Sequence, residues 1–188
     1  MGTVELESGS NKLLLTPLPY GDTTGSFLRQ LNSAGQTSPV ILVSLRCAPT
    51  EIVDFCRTHI GETNPITDVI YTEDVAYAPP ARLEDFGVPS VTITSIGNSD
   101  LTGLGTAVSE AFSQYTDSVP MQLWFDSITS LLDVVDLETA FRFLHVVTAR
   151  VENAGATAFY HADPAAHDPQ TINSLRYLFD DVIELDRS

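Results

Sequence analysis

Two stretches of the chain carry side chains whose types and spacing could do chemistry. The first is Gln122-Leu123-Trp124-Phe125-Asp126-Ser127-Ile128-Thr129-Ser130-Leu131-Leu132, an apolar run that ends in a carboxylate followed by hydroxyls. A carboxylate at a strand tip can serve a ligand or a metal. It can also cap the next helix by accepting amides around Ile128 and Thr129, and this structural role is the expected one. The second stretch, residues 160–168, places His161, Asp163, His167 and Asp168 close together. That composition suits a metal site or a general base. However, Asp163-Pro164 and Asp168-Pro169 are turn and cap signals, and His-x₅-His lacks a third nitrogen or sulfur ligand. A hydrogen-bonded loop with a polar pocket of His161, Asp163 and His167 is therefore expected, with no metal bound.

The remaining chemical side chains have structural readings. His145 lies mid-helix near an apolar face and is expected to be partly buried. His59 is expected at a helix C-terminus, where the dipole favours it. Ser127 stands in no Gly-x-Ser-x-Gly elbow, so a hydrolase nucleophile is unsupported. Trp124, inside an apolar run, reads as core. Cys47 and Cys56 match no zinc spacing and read as reduced, partly buried thiols.

These residues need elements to position them. Apolar, β-branched runs without polar alternation predict strands buried on both faces at Leu13–Thr16, Val40–Ser44, Val69–Tyr71, Val91–Thr94, Gln122–Asp126, Thr157–Tyr160 and Val182–Leu185. Helical spacing predicts Thr50–Ile60 and Leu101–Tyr115. It also predicts a helix capped by Asp136, with a face of Ala140, Phe141, Leu144, Val147 and Val151 that ends before Gly155. Asp168 followed by Pro169 predicts one more helix, with Ile172, Leu175 and Phe179 inward. Alternating strands and helices imply an α/β fold: three layers, a mainly parallel sheet and helices on both faces. Residues 1–11 read as a flexible N-terminus and 12–188 as a single domain. Ligands of such sheets bind at the carboxyl ends of the strands, which here are Thr16–Gly25, Ser44–Pro49, Asp126–Ser130 and His161–Asp168.

Composition limits the partners. The 188 residues hold 25 acidic against nine basic groups, a net charge of −16, with Lys12 the single lysine. Carboxylates scattered over a surface nearly free of lysine suit a cytosol of molar salt, where screening acts within about 3 Å. Such a field repels nucleic acid, and no basic cluster tracks phosphates. No apolar run is long enough to span a bilayer, and the acidic start has no secretion pattern, so a cytoplasmic protein is expected.

The strand ending in Asp126, with Ser127-Ile128-Thr129-Ser130-Leu131-Leu132 after it, resembles the Walker B strand of RecA/KaiC-type ATPases. The likeness extends through Phe141-Arg142-Phe143-Leu144 to Arg150, Gly155-Ala156-Thr157-Ala158 and Leu178-Phe179-Asp180-Asp181-Val182-Ile183-Glu184-Leu185. Upstream, Val40-Ile41-Leu42-Val43-Ser44-Leu45 resembles the strand after the phosphate-binding helix. The chain is similar to shortened KaiC-like proteins of haloarchaeal type. The resemblance implies a RecA-like P-loop topology, with the Thr157 strand beside the Asp126 strand.

The departures from that pattern bear on function. A P-loop needs glycines whose amides cradle phosphate and a lysine that neutralises it. The corresponding stretch has Gly21, Asp22, Thr23, Gly25 and Ser26, with Ser26 or Asp22 in the lysine's place. The resemblance aligns the catalytic glutamate pair with Arg46 and Cys47. Losing these charges removes most phosphoryl-transfer chemistry. The implied protein is a pseudo-ATPase without cofactor, working through a protein partner or as a homodimer in a signalling role. A vestigial site of Gly21, Asp22, Thr23, Gly25, Ser26, Asp126 and Ser127 that senses a nucleotide or small molecule is the alternative. A metal-dependent hydrolase using Asp126, His161, Asp163 and His167 is the third reading.

Overall fold

A computed structural model describes residues 8–17, 38–46, 51, 58, 66–72, 92–97, 99–115 and 120–185. Seven strands form one sheet: β1 (Ser10–Leu15), β2 (Val40–Ser44), β3 (Ile66–Thr72), β4 (Thr92–Ile96), β5 (Gln122–Asp126), β6 (Thr157–Ala162) and β7 (Asp181–Glu184). Their order across the sheet is β4-β3-β2-β5-β6-β1-β7, and every pairing is parallel. All seven expected strands are present, five with shifted ends. β1 starts at Ser10, two residues before the expected domain boundary, because Ser10 and Asn11 pair with Thr157 and Ala158 of β6.

The described helices are α1 (Leu101–Ser113), α2 (Ile128–Val134), α3 (Leu137–Asn153) and α4 (Pro169–Arg176). Each begins where a short polar side chain accepts an amide of the first turn: Asp100 from Gly103, Ser127 from Ser130, Asp136 from Thr139, and Asp168 from Gln170 and Thr171. α3 stops in a Schellman turn, with Ala156 N–H bonding Val151 O and Gly155 N–H bonding Glu152 O. Gly155 takes φ +63° there, which a side chain would strain. Of the helix expected over 50–60, Glu51 and Thr58 are described, both helical. Residues 21–26, with the vestigial nucleotide-site positions Gly21, Asp22, Thr23, Gly25 and Ser26, and Cys47, Cys56 and His59 lie outside the described residues.

Side-chain parity separates the two faces of the sheet. Leu13, Leu15, Ile41, Val43, Leu123, Phe125, Ala158 and Tyr160 pack with residues of α1–α4 in one core. Phe125, Phe143, Tyr160 and Phe179 form a chain of ring contacts through it. The opposite face is covered too: Leu14, Leu42, Val69 and Phe159 are buried there. This is a three-layer α/β architecture. Two expectations about α3 are corrected. Phe143, not Phe141, completes the buried face, and His145 is exposed, because the buried arc runs through Ala140, Phe143, Leu144, Val147, Thr148 and Val151 and His145 falls outside it. Trp124 is half-buried rather than core, stacking on Phe159 with ring centroids 4.9 Å apart.

Candidate functional site

The strand tips hold a buried polar cluster, built by register. Ser44 of β2 lies opposite Asp126 of β5, so Arg46, two residues past Ser44, returns on the same face. β6 lies beside β5, as the resemblance required, and brings His161 to the other side of Asp126. Leu15 of β1 pairs with Ala162, which sets Thr16 next to His161. Thr16, Arg46, Asp126 and His161 therefore share the face opposite α1–α4.

The contacts are close. Arg46 Nη2 donates to Asp126 Oδ2 at 3.1 Å. His161 Nδ1 lies 3.2 Å from Asp126 Oδ1, and its Nε2 lies 3.0 Å from the Thr16 carbonyl oxygen. Asp126 and His161 are almost wholly buried, and the Arg46 side chain is 27% exposed. A carboxylate and a carbonyl only accept, so the two ring contacts need two protons: both on the imidazole, or one there and one on the carboxyl. With Arg46 alongside, the charge of Asp126 is neutralised either way. The cluster ties the tips of β1, β2, β5 and β6 together.

Asp126 does not take the cap expected of it. Its parity turns the carboxylate to the face away from α2, and Ser127 caps α2 instead, its Oγ accepting from Ser130 N–H at 3.1 Å. The Asp126–Ser127 peptide is cis.

The second constellation divides. His161 joins Asp126, whereas His167 and Asp163 meet at Thr129 of α2. The Thr129 hydroxyl accepts the Asp163 amide at 2.9 Å and lies 3.0 Å from His167 Nε2. The Asp163 carboxylate accepts from Ala165 N–H at 2.9 Å, closing a one-turn 3₁₀ segment, Pro164–Ala166. Bonds from the Thr171 hydroxyl and amide, then the Gln170 amide, hold Asp168 below the ordinary carboxylate value. The expected hydrogen-bonded loop is what this segment forms. Among the described residues no three His, Cys, Asp or Glu side chains group so as to hold a metal.

Arg46 and Thr129 had no role assigned from sequence. Arg46 was singled out in the sequence only by the resemblance, which aligns it with a glutamate. Thr129 lay within the quoted motif, but nothing in its spacing pointed to a partner 34 residues away.

A Mg²⁺-nucleotide of the kind active RecA/KaiC-type ATPases hold does not fit these residues. Arg46 and His161 occupy the two Asp126 oxygens that would face the cation's water shell, and Arg46 brings donors where acceptors are needed.

The profile of a family described as "Family of unknown function (DUF7504)" matches residues 9–185. The chain belongs to that family. No curated protein matches it. The match spans β1 to the end of β7, so this DUF7504 chain carries the whole described sheet within its family region. No described helix is long and apolar enough to cross a membrane.

Proposed function

We propose that this DUF7504 chain is a non-catalytic RecA/KaiC-like protein of the cytoplasm, acting through contact with another protein or a second copy of itself. The observation that carries the reading is Arg46 paired to Asp126. At the position where the resemblance calls for an activating carboxylate stands a guanidinium, and it neutralises the carboxylate that would serve the cation. A catalytic strand tip has become a structural clasp. The strand order supports the same reading: β5 and β6 separate β2 from β1, whereas dinucleotide folds of order 3-2-1-4-5-6 place those two side by side. The acidic surface disfavours nucleic acid.

Thermal unfolding of the full chain in molar KCl, with and without Mg-ATP, tests the non-catalytic half. No turnover and no shift are expected. A nucleotide at a hundred times its Kd would add about 2.7 kcal/mol of stability, so a rise of a few degrees overturns the proposal. Sedimentation velocity tests the contact half. A chain that stays monomeric at every concentration, and retains no partner from its own lysate, would end it.

A further inference from the structure

The two edges of the sheet differ in charge. β7, at one edge, carries Asp181 and Glu184, both exposed, with Asp180 just before them. Charges of this kind guard an edge strand against pairing with another chain. β4, at the other edge, reads Thr-Ile-Thr-Ser-Ile and has no charge, no proline and no glycine. Among the described residues it pairs on one side only, with β3, in even register from Thr92 to Ile96. Thr92 and Ser95 are exposed. α1, which packs on β3 and β4, carries Glu110 as its single charge in 13 residues. This corner is nearly neutral in a chain of 25 acidic and nine basic residues.

Charge and symmetry select the occupant. A partner chosen by charge would find its match on the acidic remainder of the chain, not here. A second copy brings the same neutral strip, so two acidic chains approach at this edge with the least repulsion. A twofold normal to the sheet sets the two β4 strands antiparallel and closes the assembly at two copies. Strands lie about 4.8 Å apart, so β4 stands about 2.4 Å from such a twofold and β3 about 7 Å. α1 packs on both strands, so its axis runs about 5 Å from the twofold. The two α1 helices then lie about 10 Å apart, the spacing of packed helices. A strand pair alone falls short of the roughly 1,200 Å² that specific complexes bury, so the α1 contact belongs to the interface.

We propose that two copies of this chain join edge to edge through β4, antiparallel about a twofold at Thr94, into one continuous sheet with α1 against α1. The proposal rests on the self-contact half of the functional reading and names its surface.

Sedimentation velocity of the full chain in molar KCl, from micromolar to millimolar, should show a monomer–dimer equilibrium. Thr94→Asp sets two carboxylates opposite each other at the twofold and should weaken the dimer about tenfold or more, with the melting transition retained. Opposed Cα atoms of an antiparallel pair lie about 4.5–5.5 Å apart, within disulfide reach. Thr94→Cys should therefore oxidise to a covalent dimer joined between the two positions 94, identified by mass spectrometry. A dimer of unchanged affinity in Thr94→Asp, or an oxidised product not joined at position 94, overturns this surface and leaves self-association by another face standing. A chain that stays monomeric but retains a partner from its own lysate overturns it and leaves the protein-contact reading standing. Should Thr94→Asp lose its cooperative melt, the linkage at position 94 decides alone.

Discussion

Asp126 and Asp68 are carboxylates buried in the same sheet, at 4% and 2% exposure, with opposite surroundings. Asp126 lies at the carboxyl tip of β5 between Arg46 and His161. Asp68 lies on β3, three residues further from the tips in register, and faces the helical core. Its named partners are hydroxyls: the Tyr115 OH at 3.3 Å and Thr67. Burial pushes the Asp68 carboxyl above its ordinary 3.8, and the two hydroxyls offset this only in part. Burial and its carboxylate neighbour also raise the Tyr115 phenol, which keeps it a donor to Asp68. The difference is one of neutralisation. A cationic partner, Arg46, makes a buried carboxylate a tie between strands, whereas dipolar partners leave it a load on the folded state whenever it ionises.

Removing the tie should give the largest effect. Asp126→Ala leaves Arg46 and His161 facing each other without a counter-charge, and a loss of about 2–4 kcal/mol is expected. The figure lies below that of a wholly buried pair because Arg46 is partly exposed and can rehydrate. Denaturant unfolding measures it, and a double-mutant cycle with Arg46→Ala should return a coupling. Additive losses would show that Arg46 and Asp126 do not act as a pair.

Asp68→Asn should act in the opposite direction. A folded-state value raised above 3.8 means the folded chain holds this proton more tightly than the unfolded chain. Asp68 therefore adds stability at low pH and loses that contribution as pH rises through the folded value. Asparagine removes the ionisation, so the variant should melt higher than the parent at neutral pH, and the gain should vanish as pH falls through the carboxylate range. A variant melting lower at neutral pH would mean that Asp68 is compensated as Asp126 is.

Asp168 is an exposed control with the smallest expected effect. Its value is lowered by Thr171 and Gln170, so it contributes stability above the ordinary carboxylate value and loses it as pH falls through the folded one. Asp168→Asn keeps a capping side chain without the charge. The acid-induced fall in melting temperature should be slightly shallower in this variant. An identical acid limb would leave the cap as a hydrogen bond with no charge contribution.

Much of the fold could be read from the residues. Unbroken apolar runs such as Val40–Ser44 mark strands buried on both faces, and Asp136 and the Asp168-Pro169 pair start helices through local hydrogen bonds. His145 and Phe141 were misplaced because a helical period leaves the exact arc to the packing of α3 on the sheet. Asp126 was identified as a special residue but given the wrong partners. The local alternative, capping, competes with contacts to Arg46, 80 positions away, and to His161, 35 away. Local spacing cannot weigh those.

By itself the sequence determined the alternation of strand and helix, the acidic composition, the caps of α3 and α4 and the single lysine, Lys12, because each follows from neighbouring residues or simple counts. Only the tertiary structure decided that Arg46, Asp126, His161 and Thr16 meet, and that Thr129 holds Asp163 and His167. Those meetings depend on strand order and register, with β6 between β5 and β1. That order is set by how the whole sheet buries its two faces, not by any single stretch of chain.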